Sequence, residues 1–327
     1  MKALITGGTG FVGSHLVEAL LKRRDDVTCL VRPESNRRWL KDLPVKFVEG
    51  DLQDKFFLKN SVKGFDYIYH IAGLIKAFTY QEYETVNVTL TGNLIEAITE
   101  SNPGIKRFIY ISSLAAAGPA KDISGISEDA ECRPVTDYGM SKLKGEKTLK
   151  PYLNQIPITI LRPPPVYGPR DDGFLLYFKV VSYGFVPYFK SARHVSMIYV
   201  DDLIDAIIKA SESDVARGNT YFIANKNPYA INYLAKTINS AVRNSKISCP
   251  LWLPDVLIKG LAALFEAVSY IIGQQTIFNR QKALELTRDF WVCRTGKARH
   301  DFNWIFQTTL EEGMGKTSDW YKQQKWI

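Results

Sequence analysis

Tyr138 and Lys142 stand four residues apart in the stretch TDYGMSK, residues 136–142. On a helix that spacing puts a phenol and an ammonium on one face. A nearby cation favours the phenolate, so such a pair has the makings of a group that exchanges a proton near neutral pH. Taken alone, it is better read as a surface Tyr beside a surface Lys. The rest of the chain has to supply something for a tuned phenol to act on.

A second stretch supplies it. ITGGTGFVGSHL, residues 5–16, places Gly7, Gly10 and Gly13 in the spacing GxxGxxG between a β-branched run and an amphipathic one. In a strand–turn–helix setting, the first glycine permits the tight turn. The second lets backbone approach a pyrophosphate, and the third allows close helix–strand packing. The helix start offers free N–H groups and the positive end of a dipole. Nucleotide binding follows from this context rather than from the glycines by themselves.

The end of the second strand bears on which nicotinamide cofactor is bound, since an acid there accepts from a ribose hydroxyl and an arginine favours a 2′-phosphate. Val31 occupies the acid position, Arg32 follows, and Arg37 and Arg38 lie close behind. That favours NADP, with NAD as the alternative. Asp51, at the end of the third strand, suits either the adenine amino group or a helix cap.

The elements that must hold these residues alternate in kind. Strands are expected at 3–6, 27–32, 45–51, 66–73, 107–113 and 158–163, and helices at 11–23, about 80–100 and about 137–150. Near-continuous apolar strands separated by helix-length segments imply right-handed crossovers and a parallel sheet covered on both faces. The fold class is therefore α/β, a doubly wound parallel (Rossmann) sheet with a smaller, mostly helical substrate lobe. The dinucleotide-binding domain is expected over 1–167, with 195–224 returning to it, and the substrate lobe over 168–327. Residues 174–190 are aromatic without a clean strand period, 195–210 and 219–224 suggest strand–helix and strand, and the chain from 229 onward reads as mostly helical.

Composition excludes several other classes. With 327 residues, 46% hydrophobic and 23% charged, the chain is globular in character. Its net charge of +8 suits an anionic ligand, but no basic run, zinc spacing or RNA-binding signature accompanies it, so nucleic acid is not an expected partner. The four cysteines form no CxxC, so no metal is expected, and free thiols suit the cytoplasm. The N-terminus lacks the apolar core of a secretory signal, and no run of 18 uncharged apolar residues suggests a spanning helix. The apolar segment 251–273 is expected as a helix packed into the small lobe. A lid over an apolar substrate and a peripheral membrane contact are its alternatives.

Taken in order, the motifs resemble the extended short-chain dehydrogenase/reductase (NAD-dependent epimerase/dehydratase) family. They are TGGTGFVG, GDL (50–52), HIAG (70–73), VNVTLTGN (86–93), YISS (110–113), YGMSK (138–142), LRPPPVYGP (161–169) and YVDDL (199–203). KARHDFNW (297–304) and LEEGMGKTSDWY (310–321) extend the likeness to the far end. The resemblance implies a catalytic set of Ser113, Tyr138 and Lys142, with Asn87 steadying the lysine. It also implies cofactor contacts from Gly7, Thr9, Gly10, Phe11, Val12, Gly13, Arg32, Asp51, Leu52, Ala72, Gly73, Tyr138, Lys142, Pro163 and Val166, and a homodimer. In this setting Ser113 bonds the substrate oxygen, while Lys142 lowers the phenol's pKa and bonds the nicotinamide ribose.

Two departures bear on the substrate. Pro165 and Val195 stand where the family's nucleotide-sugar enzymes usually carry an Asn and an Arg. The pattern looks more like the branch of dihydroflavonol reductases and 3β-hydroxysteroid dehydrogenases. The expected function is NADP-dependent hydride transfer to or from a secondary alcohol or ketone of a fairly apolar small molecule. A nucleotide-sugar epimerase or dehydratase, with Arg170 and Arg193 free for phosphate, is the alternative. A non-catalytic NADP-binding sensor is the second.

Overall fold

The computed structural model describes residues 1–189, 192–244, 248–276 and 278–327. The first half runs β1 (Lys2–Thr6), α1 (Phe11–Lys22), β2 (Asp26–Val31), β3 (Lys46–Glu49), α2 (Lys55–Ser61), β4 (Tyr67–His70), α3 (Tyr80–Glu84), a π turn (Thr85–Thr89), α4 (Leu90–Ser101), β5 (Arg107–Ile111), α5 (Leu114–Ala117), α6 (Asp137–Leu149) and β6 (Ile158–Arg162). It continues β7 (Val166–Tyr167), α7 (Leu175–Ser182), β8 (Phe185–Phe189), β9 (His194–Val195), β10 (Ile198–Tyr199), α8 (Val200–Glu212), β11 (Thr220–Phe222), β12 (Tyr229–Ala230) and α9 (Ile231–Arg243). The last elements are β13 (Cys249–Leu253), α10 (Asp255–Ile272), α11 (Arg280–Leu286), β14 (Phe290–Trp291), α12 (Gly296–Phe302) and α13 (Leu310–Gln323).

Among the described residues the main sheet has seven strands in the order β11-β6-β5-β4-β1-β2-β3. Every pairing within it is parallel. Period-two alternation divides its side chains between two cores. Ala3, Ile5, Cys29 and Ile109 meet Leu16, Val17 and Leu20 of α1 and Leu203 and Ile207 of α8. Leu4, Leu30, Ile68 and Phe108 meet Leu58 of α2, Leu94 and Ile98 of α4 and Leu149 of α6. Each fully buried side chain of this size contributes about 1.5–3 kcal/mol, so both faces must be covered before the sheet is stable. That explains the uninterrupted apolar strands.

Strand order reverses between β1 and β4, and the chain leaves these strands in opposite directions. A crevice opens outside their carboxyl ends at such a switch point. Gly7, Ala72, Gly73 and, one strand further, Ser113 all stand there.

The second half departs from its expected outline. The aromatic run 174–190 divides into α7 and β8 as far as Phe189; its last residue lies outside the described ones. Phe178 is buried core, stacked edge-on to Tyr321 at 5.0 Å, rather than pocket lining. The region after 229 contains β12, β13 and β14 as well as helices, and β13 pairs in parallel with β8. The expected packed helix at 251–273 begins only at Asp255. Of its side chains Ile258, Ala262 and Ser269 are buried, a stripe one residue wide, and most of its apolar surface is exposed. Hydrophobic composition alone had suggested burial, but the neighbouring α11 covers only that stripe.

Candidate active site

The phosphate loop is built around contacts that admit no side chain. Thr6 accepts the amides of Ile71 and Ala72 through its carbonyl at 3.1 and 3.0 Å, which locks the exits of β1 and β4 together. Gly7 turns with φ +76°, and a Cβ there would stand 2.5 Å from the Ala72 nitrogen. A Cβ on Gly13 would collide with the Gly7 carbonyl, so α1 is pressed onto the turn. Gly10 is the N-cap of α1 and no side chain caps it. The amides of Phe11, Val12 and Gly13 therefore open the helix without intrahelical acceptors. A cradle that any Cβ would fill, ending in an uncapped helix start, fits a dinucleotide pyrophosphate. Thr9 sits half-buried on the turn. Leu52 and Pro163 are buried and Ala72 and Val166 half-buried, while Gly73 is exposed at the crevice.

Thr136 caps α6, its hydroxyl accepting the Gly139 amide at 3.2 Å, and this fixes where the Tyr138–Lys142 face begins. Ser113 ends the loop after β5 and caps α5, accepting from the Ala115 amide at 3.1 Å. The Tyr138 hydroxyl lies near that of Ser113, which favours its phenolate. The buried Lys142 Nζ donates to the Ile111 carbonyl at 2.6 Å and lies 4.5 Å from the centroid of the Tyr110 ring. Loss of solvent holds its ammonium at about 8, against an opposing pull from Glu146. The structure thus brings Ser113, Tyr138 and Lys142 to one place.

The phenol's acidity differs from expectation. Loss of solvent pushes the Tyr138 hydroxyl up to about 12, and the Ser113 hydroxyl opposes this only in part. The Lys142 ammonium donates to the Ile111 carbonyl rather than to the phenol. The net shift is therefore upward, against the lowering read from the four-residue spacing.

Asn87 lies in the π turn between α3 and α4. A π turn widens a helix by one residue and recurs at functional sites. Here it turns the amide inward: Asn87 accepts the Leu74 amide at 2.8 Å and donates to the Leu74 carbonyl at 3.0 Å and to Ser141 Oγ at 2.9 Å. Asn87 thereby ties the crevice loop to α6. The resemblance implies that it steadies the lysine's water; Asn87 Oδ1 and Lys142 Nζ both border Gly73, whose Cβ would lie 3.2 Å from the one and 3.4 Å from the other.

The arginines divide. Arg37 pairs with Glu49 at 2.6 Å over the Phe47 ring, and the exposed Arg38 stacks on Trp39. Arg32 is exposed at the end of β2, with Glu34 3.1 Å from its Nε. Asp51 is not the cap of α2; Asp54 is, through the Phe57 amide, whereas Asp51 accepts from Gln53. Arg170, held in reserve for a substrate phosphate, bonds Ser14 and Glu18. Arg193 is buried and paired with Asp255.

Three groups escaped sequence reasoning. The Tyr83 ring lies 6.3 Å from that of Tyr138. Ser112 Oγ donates to Glu146 at 2.5 Å, and Arg162 donates to both Glu146 oxygens at 2.8 and 2.6 Å, a buried network under the Lys142 helix. Ser141 anchors Asn87. Glu146 follows Lys142 by four residues, which was the available signal; the others depend on tertiary contacts.

A doubly wound sheet with a glycine-built phosphate cradle at its switch point defines a dinucleotide-binding fold. The family model for the NAD dependent epimerase/dehydratase family matches residues 3–224, and the chain belongs to that family of enzymes. It is 29% identical to a ceramide reductase of Caulobacter vibrioides, over 99% of this chain and 95% of that one. UDP-glucose 4-epimerase of Thermotoga maritima, solved with UDP-glucose, superposes with a TM-score of 0.80 at 22% identity, over 99% and 100% of the two chains. UDP-glucuronic acid 4-epimerase of Bacillus cereus, solved with UDP-glucuronic acid and NAD, gives 0.77 at 24% identity over the same shares.

Proposed function

We propose that this enzyme is a reductase of the ketone of an apolar, lipid-like molecule, using NADPH. The single observation behind the reaction class is the grouping of Ser113 and Tyr138 beside buried Lys142, at the mouth of the phosphate cradle. Gly7, Gly10 and Gly13 with the start of α1 would hold the pyrophosphate, Arg32 the 2′-phosphate in place of Glu34, and Lys142 the nicotinamide ribose. Bound reduced nicotinamide supplies the hydride. Ser113 orients the ketone oxygen, and Tyr138 hands its proton to that oxygen. A phenol held at about 12 is protonated at neutral pH yet more acidic than the alcohol formed when an alkoxide takes its proton, so its state favours proton donation. Lys142 then steadies the phenolate left behind.

The substrate class rests on two supports. Arg170 is engaged with Glu18 and Ser14, away from any substrate phosphate, and a relative matching the whole chain is a ceramide reductase. A nucleotide-sugar epimerase is the second reading, carried by Arg193, whose Nε and Nη1 are buried without a partner among the described residues. Two assays separate them. Purified enzyme with NADPH and a panel of long-chain and steroidal ketones should consume the reduced nicotinamide absorbance. Calorimetric titration with uridine diphosphate should show no binding; micromolar binding with no ketone turnover would overturn the reductase reading.

A further inference from the structure

The exposed side of α10 has no partner among the described residues, and its chemistry is one-sided. Val256, Gly260, Leu264, Ala267 and Ile271 recur at helical spacing, with Leu257 and Val268 beside them, and no charge interrupts this arc. Val256 is 82%, Leu264 58%, Ile271 85% and Ile272 62% exposed. Soluble surfaces scatter such residues singly; a contiguous run marks a surface that something covers.

Charge and aromatic placement indicate what covers it. Both acids of the helix are held by arginines: Asp255 by Arg193 and Glu266 by Arg280. Lys259, exposed, has no ion-pair partner among the described residues. Trp252 stands exposed just before the helix and Tyr270 near its end. The chain as a whole carries +8. An uncharged aliphatic arc about 23 Å long, with Trp252 at its entry, neutralised acids and a free lysine, matches a helix lying in a lipid–water interface. No helix among the described residues is long and apolar enough to cross a membrane, so the contact is one of lying on the surface.

The opposite side of α10 leads toward the crevice. Tyr270 donates to the Phe78 carbonyl at 3.1 Å and its ring lies 5.1 Å from that of Phe78. Ala77, Phe78, Ser269, Tyr270 and Gln281 line a recess there. Gln281 accepts the Asp137 amide, one residue before Tyr138, at 2.7 Å. The loop held by Tyr270 also carries exposed Ile75, whose carbonyl accepts from Tyr83 at 3.4 Å.

The geometry points to α10 as the element that docks this enzyme on an anionic lipid bilayer, with the active-site crevice at the docked edge. The docking itself does not depend on the proposed reaction; only the delivery of a bilayer-resident ketone to Tyr138 rests on that reading.

Flotation with lipid vesicles, without cofactor or ketone, tests the docking. The full chain should rise with phosphatidylcholine vesicles containing phosphatidylglycerol and much less with phosphatidylcholine alone. The double substitution Val256→Glu/Ile271→Glu should cut the floated fraction by about tenfold or more, and Lys259→Glu should weaken only the response to anionic lipid. Both positions are exposed, and the circular-dichroism melt of the variant serves as its folding control. Wild-type protein left behind by both vesicle types, or a folded double variant that floats as well as wild type, overturns the proposal. So does sedimentation showing a wild-type dimer that the double substitution dissolves while vesicles recruit nothing, since the arc would then bind a second copy. Failure of every ketone in the panel would leave the flotation result standing and sink the reductase reading instead.

Discussion

Lys142 and Ile111 are joined across the crevice: the ammonium of one donates to the main-chain carbonyl of the other at 2.6 Å. The bond links the middle of α6 to the end of β5, two residues before Ser113. Tyr138 on the helix and Ser113 after the strand are thereby held to one another through a side-chain bond to the main chain.

The pH dependence of turnover should follow that lysine. Its ammonium is held at about 8 by loss of solvent, so ketone reduction should be level below pH 8 and fall above it. The unfolded chain keeps the proton up to the ordinary 10.5 and binds more protons between these values, so this residue's contribution to stability rises with pH across that window. Below pH 8 the buried charge costs on the order of 3 kcal/mol. Lys142→Met should abolish turnover yet raise the melting temperature at pH 7, by more than it does at pH 10; a lower melting temperature at pH 7 would refute the buried-ammonium account.

Tyr138→Phe removes the proton donor and leaves the ring. We expect kcat to fall by about 10²–10⁴, with NADPH affinity unchanged in a fluorescence titration. Retained turnover would remove the phenol from the reaction.

Glu146 and Arg162 form a buried pair completed by Ser112. Removing one partner strands the other charge, so Glu146→Leu should lower stability in urea unfolding by about 3–5 kcal/mol. The double change Glu146→Leu/Arg162→Met should recover most of that loss. An additive double variant would show that the two groups act independently.

Asp171 is buried with its carboxylate accepting the amides of Gly173 at 2.8 Å and Phe174 at 3.1 Å. Loss of solvent nonetheless raises it to about 7 from an ordinary 3.8. A folded value above the unfolded one means the stabilisation is complete below about 3.8 and is lost as pH rises through 7. Asp171→Asn should therefore raise the melting temperature by more at pH 8 than at pH 5, where only part of the loss has occurred. Equal shifts at the two pH values would contradict the assignment.

On the proposed NADPH reading, Arg32 would hold the 2′-phosphate. Arg32→Ala should weaken NADPH binding about tenfold while sparing NADH, and Glu34→Gln, by freeing the guanidinium, should tighten NADPH. Equal losses for both cofactors in titrations would place the 2′-phosphate elsewhere.

The sheet and the phosphate loop were legible in the sequence because their signals are local: β-branched runs, glycines at fixed offsets and a Thr136-capped helix each act within a few residues. The grouping of Ser113, Tyr138 and Lys142 was legible through the order of motifs. The phenol's acidity was not, since four-residue spacing says nothing about the Ile111 carbonyl that captures the ammonium. The inward turn of Asn87 depends on one widened helical turn with no compositional mark. The exposure of α10 was misread because apolar content reports what a helix can bury, and only its neighbours decide what it does bury.

The strand Thr220–Phe222 pairs with Ile160–Arg162, nearly sixty residues earlier in the chain. During synthesis, therefore, the outer edge of Ile158–Arg162 emerges with no companion and waits until the intervening lobe has been made. A fragment ending near residue 167 would present that bare edge as a template for aggregation, and should resist solubilisation unless the later segment is added back in trans.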